Sequence, residues 1–122
     1  MGTNYYAKLI PTAQHIETMQ SLLDARDFNG LQVVLDRLKE FHVCKTSLGW
    51  RVLFQRQDDR YNGYDACMKY LEDCEIWDEY HRPATVPEIK EWCKHKAVDK
   101  AHTTMFNYQR EGNVDWTSSD FF

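Results

Sequence analysis

Lys45-Thr46-Ser47-Leu48-Gly49-Trp50 sets a lysine and two hydroxyls directly before a Gly-Trp step. Lysine and hydroxyls can hold a phosphate or another anion, and an indole can stack on a base. A phosphate-binding P-loop needs glycines ahead of its Lys-Ser/Thr pair, so that backbone N–H groups can surround the phosphates. With Lys45 as the motif lysine, those two positions hold Lys39 and Cys44, and the P-loop is excluded. Two readings stay open. In one, Lys45, Ser47, Trp50 and Arg51 bind a small anionic ligand and stack a nucleotide-like base. In the other, the stretch is the corner of a hairpin, with Gly49 permitting the turn and Trp50 packed in the core.

Other residues could carry chemistry. His42 and Cys44 lie two apart on a strand-like run, which predicts that both point to one face; Cys67, Cys74 or His95 could complete a zinc site. No second closely spaced ligand pair exists, and the seven-residue step from Cys67 to Cys74 suits a buried helix stripe. The expectation is no metal and no cofactor. Glu72, Asp73, Glu75, Asp78 and Glu79 form an acidic cluster. It could do acid–base work or bind a divalent cation, but a solvated acidic edge is the simpler account. With Trp77 and Tyr80 beside them, Asp78 and Glu79 also suit a basic groove on a partner protein. The C-terminal Phe121 and Phe122 would either dock on their own domain or anchor a partner or a second copy of the chain. GxSxG, HExxH and GxGxxG motifs are absent, so no catalytic residue is assigned.

The elements that must position these residues come from a chain of 122 residues, enough for one domain. The composition is globular, and four Trp, seven Tyr and six Phe are more rings than a small core needs. Some rings are therefore expected on a contact face. Net charge is -4, and the acidity is concentrated in the second half. That disfavours bulk nucleic acid, which calls for a basic face. The four cysteines lie far apart without a CxxC, and neither a signal peptide nor a membrane-length apolar run is present. The expected setting is the cytoplasm, with reduced thiols and no membrane partner.

Residues 4–10 read as a strand stopped by Pro11. Thr12 then caps a helix to about Asp27, with Ile16, Met19, Leu22 and Leu23 on one face. Asn29-Gly30 offers a positive φ to end it. A second helix runs from Leu31 to about Glu40, with Leu31, Val34, Leu35 and Leu38 at i, i+3, i+4 and i+7. The short link predicts an antiparallel helical hairpin. Residues 41–47 and 50–56 read as a β-hairpin, and Tyr64, Cys67, Met68 and Leu71 as a helical stripe. A short strand before Pro83 and a helix capped at Thr85 follow. The last stretch adds a strand and then a docked or mobile tail over residues 111–122. The fold class is α+β: a single domain with a small antiparallel sheet, a helical hairpin and two further helices.

Met1 to Tyr6 (MGTNYY), then His42, Lys45, Ser47, Gly49 and Trp50, then Asp78, Glu79 and Tyr80 carry a resemblance. The chain resembles a family of small uncharacterised proteins from tailed bacteriophages and prophages. Members open with MGTNYY, carry a segment like HIGKSSAGW, and continue with one like FDEYGREIS before a helix. Cys44 and His81 depart from the pattern, standing where glycine is common. Some relatives carry a cysteine cluster after the opening segment; a helical hairpin stands there in this chain, so no zinc site carries over. The resemblance implies an accessory phage product acting in the host cytoplasm.

Together these features predict a non-enzymatic phage protein that binds a host or phage protein, as a host-takeover or counter-defence inhibitor. Trp77, Asp78, Glu79 and Tyr80 would form the face, with Phe121 and Phe122. The alternative is a module that binds or sequesters a nucleotide-like signal at Lys45, Ser47, Trp50 and Arg51.

Overall fold

A computed structural model of the chain describes residues 2–47, 51–57, 59–98 and 108–117. Chain order gives β1 (Gly2–Leu9), α1 (Ala13–Asp24), α2 (Phe28–Arg37), β2 (Phe41–Ser47), β3 (Leu53–Gln55) and α3 (Tyr64–Leu71). Then come β4 (Cys74–Asp78), β5 (Pro83–Ala84), α4 (Val86–His95), a 3-10 turn (Lys96–Val98), β6 (Tyr108–Glu111) and β7 (Val114–Thr117). The class is α+β, as the sequence predicts. The sheet is larger than expected, seven strands in the order β5-β4-β1-β2-β3-β7-β6. It is also mixed, because β7 runs parallel to β3 while the other pairs are antiparallel.

The strand order explains which helices cover the sheet. The chain from β3 to β4 must pass β2 and β1, and the chain from β5 to β6 must pass from one edge to the other. These crossings lay α3 and α4 over one face. There Cys67, Met68 and Leu71 of α3 and Val86, Ile89 and Cys93 of α4 meet Ala7, Phe41, Cys44, Phe54, Ile76 and Trp116 of the strands. Rings interlock across this core: Phe54 lies 5.1 Å from Trp116, and Tyr5 meets Trp92 edge-on at 4.9 Å. Such pairs contribute roughly 0.5–1.5 kcal/mol beyond the area they bury. Phe28 and Tyr80 are the rings left exposed among the described side chains; the others are buried or half-buried.

Several local expectations need correction. α2 begins at Phe28 rather than Leu31, so Asn29 and Gly30 lie in its first turn, capped by Asp27 Oδ1 accepting from Gly30 N–H at 3.0 Å. The positive φ falls instead on Arg26, at 56°. The N–H groups of Arg26 and Asp27 donate to the carbonyls of Leu23 and Leu22, the Schellman pattern, usually built with glycine. Gly30 serves close approach: a Cβ there would lie 3.0 Å from Leu22 Cδ2 and 2.7 Å from Asp27 Oδ2. Residues 111–117, the start of the stretch expected as a docked or mobile tail, close a hairpin around Gly112 (φ 57°) and place β7 inside the sheet. Its Asp115 and Thr117 are buried, although they alternate with the core residue Trp116.

Candidate functional site

The Lys45–Trp50 stretch is divided. Lys45 sits in β2 between Asn4 of β1 and Leu53 of β3, half-buried. Arg51 is buried, its Nε 3.7 Å from Asp115 Oδ2, and its backbone carbonyl accepts from Thr46 Oγ1 at 3.4 Å. The guanidinium proposed as an anion contact thus lies against a carboxylate inside the protein. Ser47 ends β2 opposite Gly2; its side chain and Trp50 lie outside the described residues.

His42 and Cys44 do not share a face. A bulge pairs Cys44 with Tyr5 but His42 with Tyr6, leaving Val43 as the extra residue. Consecutive strand residues point to opposite sides, so Cys44 enters the core while His42 stacks on Tyr6 at 4.6 Å on the other face. Tyr6 in turn stacks on Trp77, 6.5 Å away. Burial, then the Lys45 charge, pushes the His42 imidazole down to about 4. Burial also pushes the thiols up, to about 12 at Cys67 and Cys93, about 11 at Cys74, and well above the usual value at Cys44. Burial thus favours the protonated thiol at all four positions. All four cysteines are free, and among the described residues no three His, Cys, Asp or Glu side chains converge on a metal position.

Trp77, Asp78, Glu79 and Tyr80 span the end of β4 and the turn into β5, with different roles. Asp78 organises the turn. Its Oδ1 accepts from the N–H of Tyr80 (2.8 Å) and of Arg82 (3.0 Å), and its Oδ2 takes Arg82 Nε at 2.8 Å. Partial burial pushes the carboxyl pKa up, but these bonds outweigh it and hold it below the usual range. Glu79 accepts from Asn4 Nδ2 at 3.3 Å. Tyr80 stands out at the tip, with the Arg82 guanidinium over its ring at 5.1 Å. His81 takes φ 60°, the left-handed conformation that glycine adopts freely. Beside the turn, Glu75, Trp77, His81 and Pro83 line a shallow groove of about 480 Å³. Phe121 and Phe122 lie outside the described residues.

Among the described residues, six of the seven exposed large apolar side chains lie elsewhere, on or beside the helical hairpin. Ile10, Ile16, Leu23, Phe28, Val33 and Leu35 are all exposed, and neither α1 nor α2 carries a buried residue. Each helix is well made. Thr12 and His15 form a reciprocal cap, Thr12 N–H donating to His15 Nδ1 (3.0 Å) and His15 N–H to Thr12 Oγ1 (3.3 Å). α1 packs mainly on α2, and neither packs broadly on the sheet. Ile16 and Leu23 lie seven apart on one flank of α1; Phe28 and Leu35 lie seven apart on one flank of α2. With Met19, Leu22, Leu31 and Val34 turned toward the seam, the antiparallel arrangement brings both flanks to the same side. Ile16 and Leu35 stand near the base of that face, Leu23 and Phe28 near its tip. Ile16, Leu23 and Leu35 were visible in the helical periodicity while Phe28 fell in the expected link, and periodicity does not reveal what each member of a stripe faces. At the base, a groove of about 530 Å³ runs between Lys8, Pro11, Leu35 and Leu38. No helix among the described residues is long and apolar enough to cross a membrane. Comparison with family models, curated proteins and solved structures gives no match.

Proposed function

We propose that this chain is a small non-enzymatic binding protein, an accessory phage product that acts by docking on another protein through its α1–α2 hairpin. One observation carries the reading: an amphipathic hairpin whose apolar flanks, Ile16, Leu23, Phe28 and Leu35, are exposed to solvent. Contiguous apolar surface on this scale is costly in water and marks contact faces. The exposed Tyr80 with Arg82 above it supplies a second anchor of the type enriched at interfaces. The phage assignment rests on the MGTNYY opening and the two later segments. The nucleotide-sequestering alternative gains no such support, since Arg51 is directed inward to Asp115.

The test is affinity capture from host extract with the natural chain and with a Leu23→Asp/Phe28→Asp variant. Both substituted side chains are exposed, so the variant should keep its circular dichroism and melting temperature. The expected result is one dominant protein held by the natural chain and lost from the variant. Equal capture by both would remove the hairpin from the binding face. A thermal shift with nucleotides that Lys45→Ala abolishes would instead support the ligand reading.

A further inference from the structure

We infer that the first occupant of the hairpin face is a second copy of this chain, two hairpins closing into an antiparallel four-helix bundle around a two-fold axis parallel to the helices. This rests on the reading of that face as a docking surface and names its partner.

Three features point to self-association. The first is the level at which the apolar residues stand. α1 climbs from base to tip and α2 descends, both at 1.5 Å per residue. A two-fold axis along the hairpin sets α1 of one copy against α2 of the other without changing height. Ile16 then meets Leu35 of its mate near the base, and Leu23 meets Phe28 near the tip. A patch that pairs with itself in this way is what an isologous interface requires.

The second feature is area. Ile16, Leu23, Phe28 and Leu35 are 48, 55, 62 and 42% exposed. Together they offer on the order of 400 Å² of apolar surface. A standard interface takes about 800 Å² from each partner, a little over half of it apolar. The exposed face therefore matches the apolar share of one standard dimer interface.

The third is charge. Ion-forming side chains lie outside the apolar flanks rather than among them. Glu17 and Asp24 lie on the outer side of α1, and Lys39, just past the end of α2, pairs with Asp36 of its own chain at 3.0 Å. The same axis therefore brings no carboxylate or ammonium into the apolar contact, and depletion of charge is what the centre of an interface requires.

Sedimentation velocity on the full chain, from about 1 to about 100 µM, tests the inference. A dimer is expected within that range. Phe28→Asp should weaken it by at least about 100-fold, because it puts a charge where an apolar anchor is buried. The substitution falls in the first turn of α2, where a negative charge favours the helix, so the fold is retained. Ile16→Asp should weaken it comparably, because Ile16 meets Leu35 of its mate. A chain that sediments as a monomer throughout, or a dimer indifferent to Phe28→Asp, overturns the inference. If the chain stays monomeric while Leu23→Asp/Phe28→Asp still abolishes capture of a host protein, the dimer falls and the docking face stands. If neither association nor capture depends on these residues, both fall.

Discussion

Helices α1 and α2 are written in the same amphipathic code as α3 and α4, yet one pair buries its stripe and the other does not. Cys67, Met68 and Leu71, and Val86, Ile89 and Cys93, are buried; Ile16, Leu23, Phe28 and Leu35 are exposed. The difference is topological. β1 and β2 are adjacent antiparallel neighbours, so the chain between them need not cross the sheet, and the helices inserted there stand apart from the face. α3 and α4 belong to connections between strands that are not neighbours, and those connections must traverse the face. A helix on a crossing path is pressed onto the sheet; a helix inserted in a hairpin connection remains available to another molecule.

The sharpest way to break this contrast is to truncate one phenylalanine in each region. Phe54 is fully buried against Trp116 and Tyr64. Phe54→Ala should cost about 3–5 kcal/mol in urea unfolding, through lost transfer energy and the cavity left behind. Phe28→Ala, at 62% exposure, should stay within about 0.5 kcal/mol in dilute monomer. Comparable losses would mean that the hairpin is packed as firmly as the body.

A smaller effect should follow pH and belong to the sheet alone. His42 titrates at about 4 in the folded chain, against an ordinary 6.5. The unfolded chain therefore takes up this proton first. The contribution of neutral His42 is complete above about pH 6.5 and is lost as pH falls toward 4. Allowing for its partial exposure, about 1–2 kcal/mol should disappear across that window. His42→Gln should flatten this part of the stability profile; an unchanged slope would show that the imidazole is not desolvated.

The smallest effect concerns the hairpin's own turn. Arg26 sits at φ 56°, a conformation that costs an L-residue about 1 kcal/mol. Arg26→Gly should relieve that strain but loosen the unfolded chain, leaving a net gain of about 0.5 kcal/mol. Amide exchange should slow in α1 and α2 and remain unchanged in β1 and β2. Faster exchange in the helices would mean that the arginine side chain, not the backbone, holds the turn.

Local chemistry was legible because it depends on near neighbours. Thr12 and Thr85 cap their helices as predicted, the α3 stripe is buried where periodicity places it, and β2 pairs antiparallel with β3, which is shorter (Leu53–Gln55) than the expected 50–56 run. The failures arise where distant residues decide. The Val43 bulge separates His42 from Cys44 because β1 sets the pairing of β2. Leu53, next to Phe54, is buried as well, so alternation could not be read as one wet and one dry face. Arg51, offered as a ligand contact, is drawn inward by Asp115, sixty-four positions further on. Asp78 and Glu79 did lie at an exposed turn, but Asp78 is occupied in shaping it.

Sequence by itself determined the α+β class, the Thr12 and Thr85 caps and the helical stripes, because backbone preference and side-chain period are carried by neighbouring residues. Only the tertiary structure decided that β7 joins β3 in parallel, and that the Ile16–Leu23 and Phe28–Leu35 flanks stay exposed while the α3 and α4 stripes face in. The order of strands in a sheet is fixed by contacts between remote segments, and that order determines which connections cross the face and which apolar surfaces stay open.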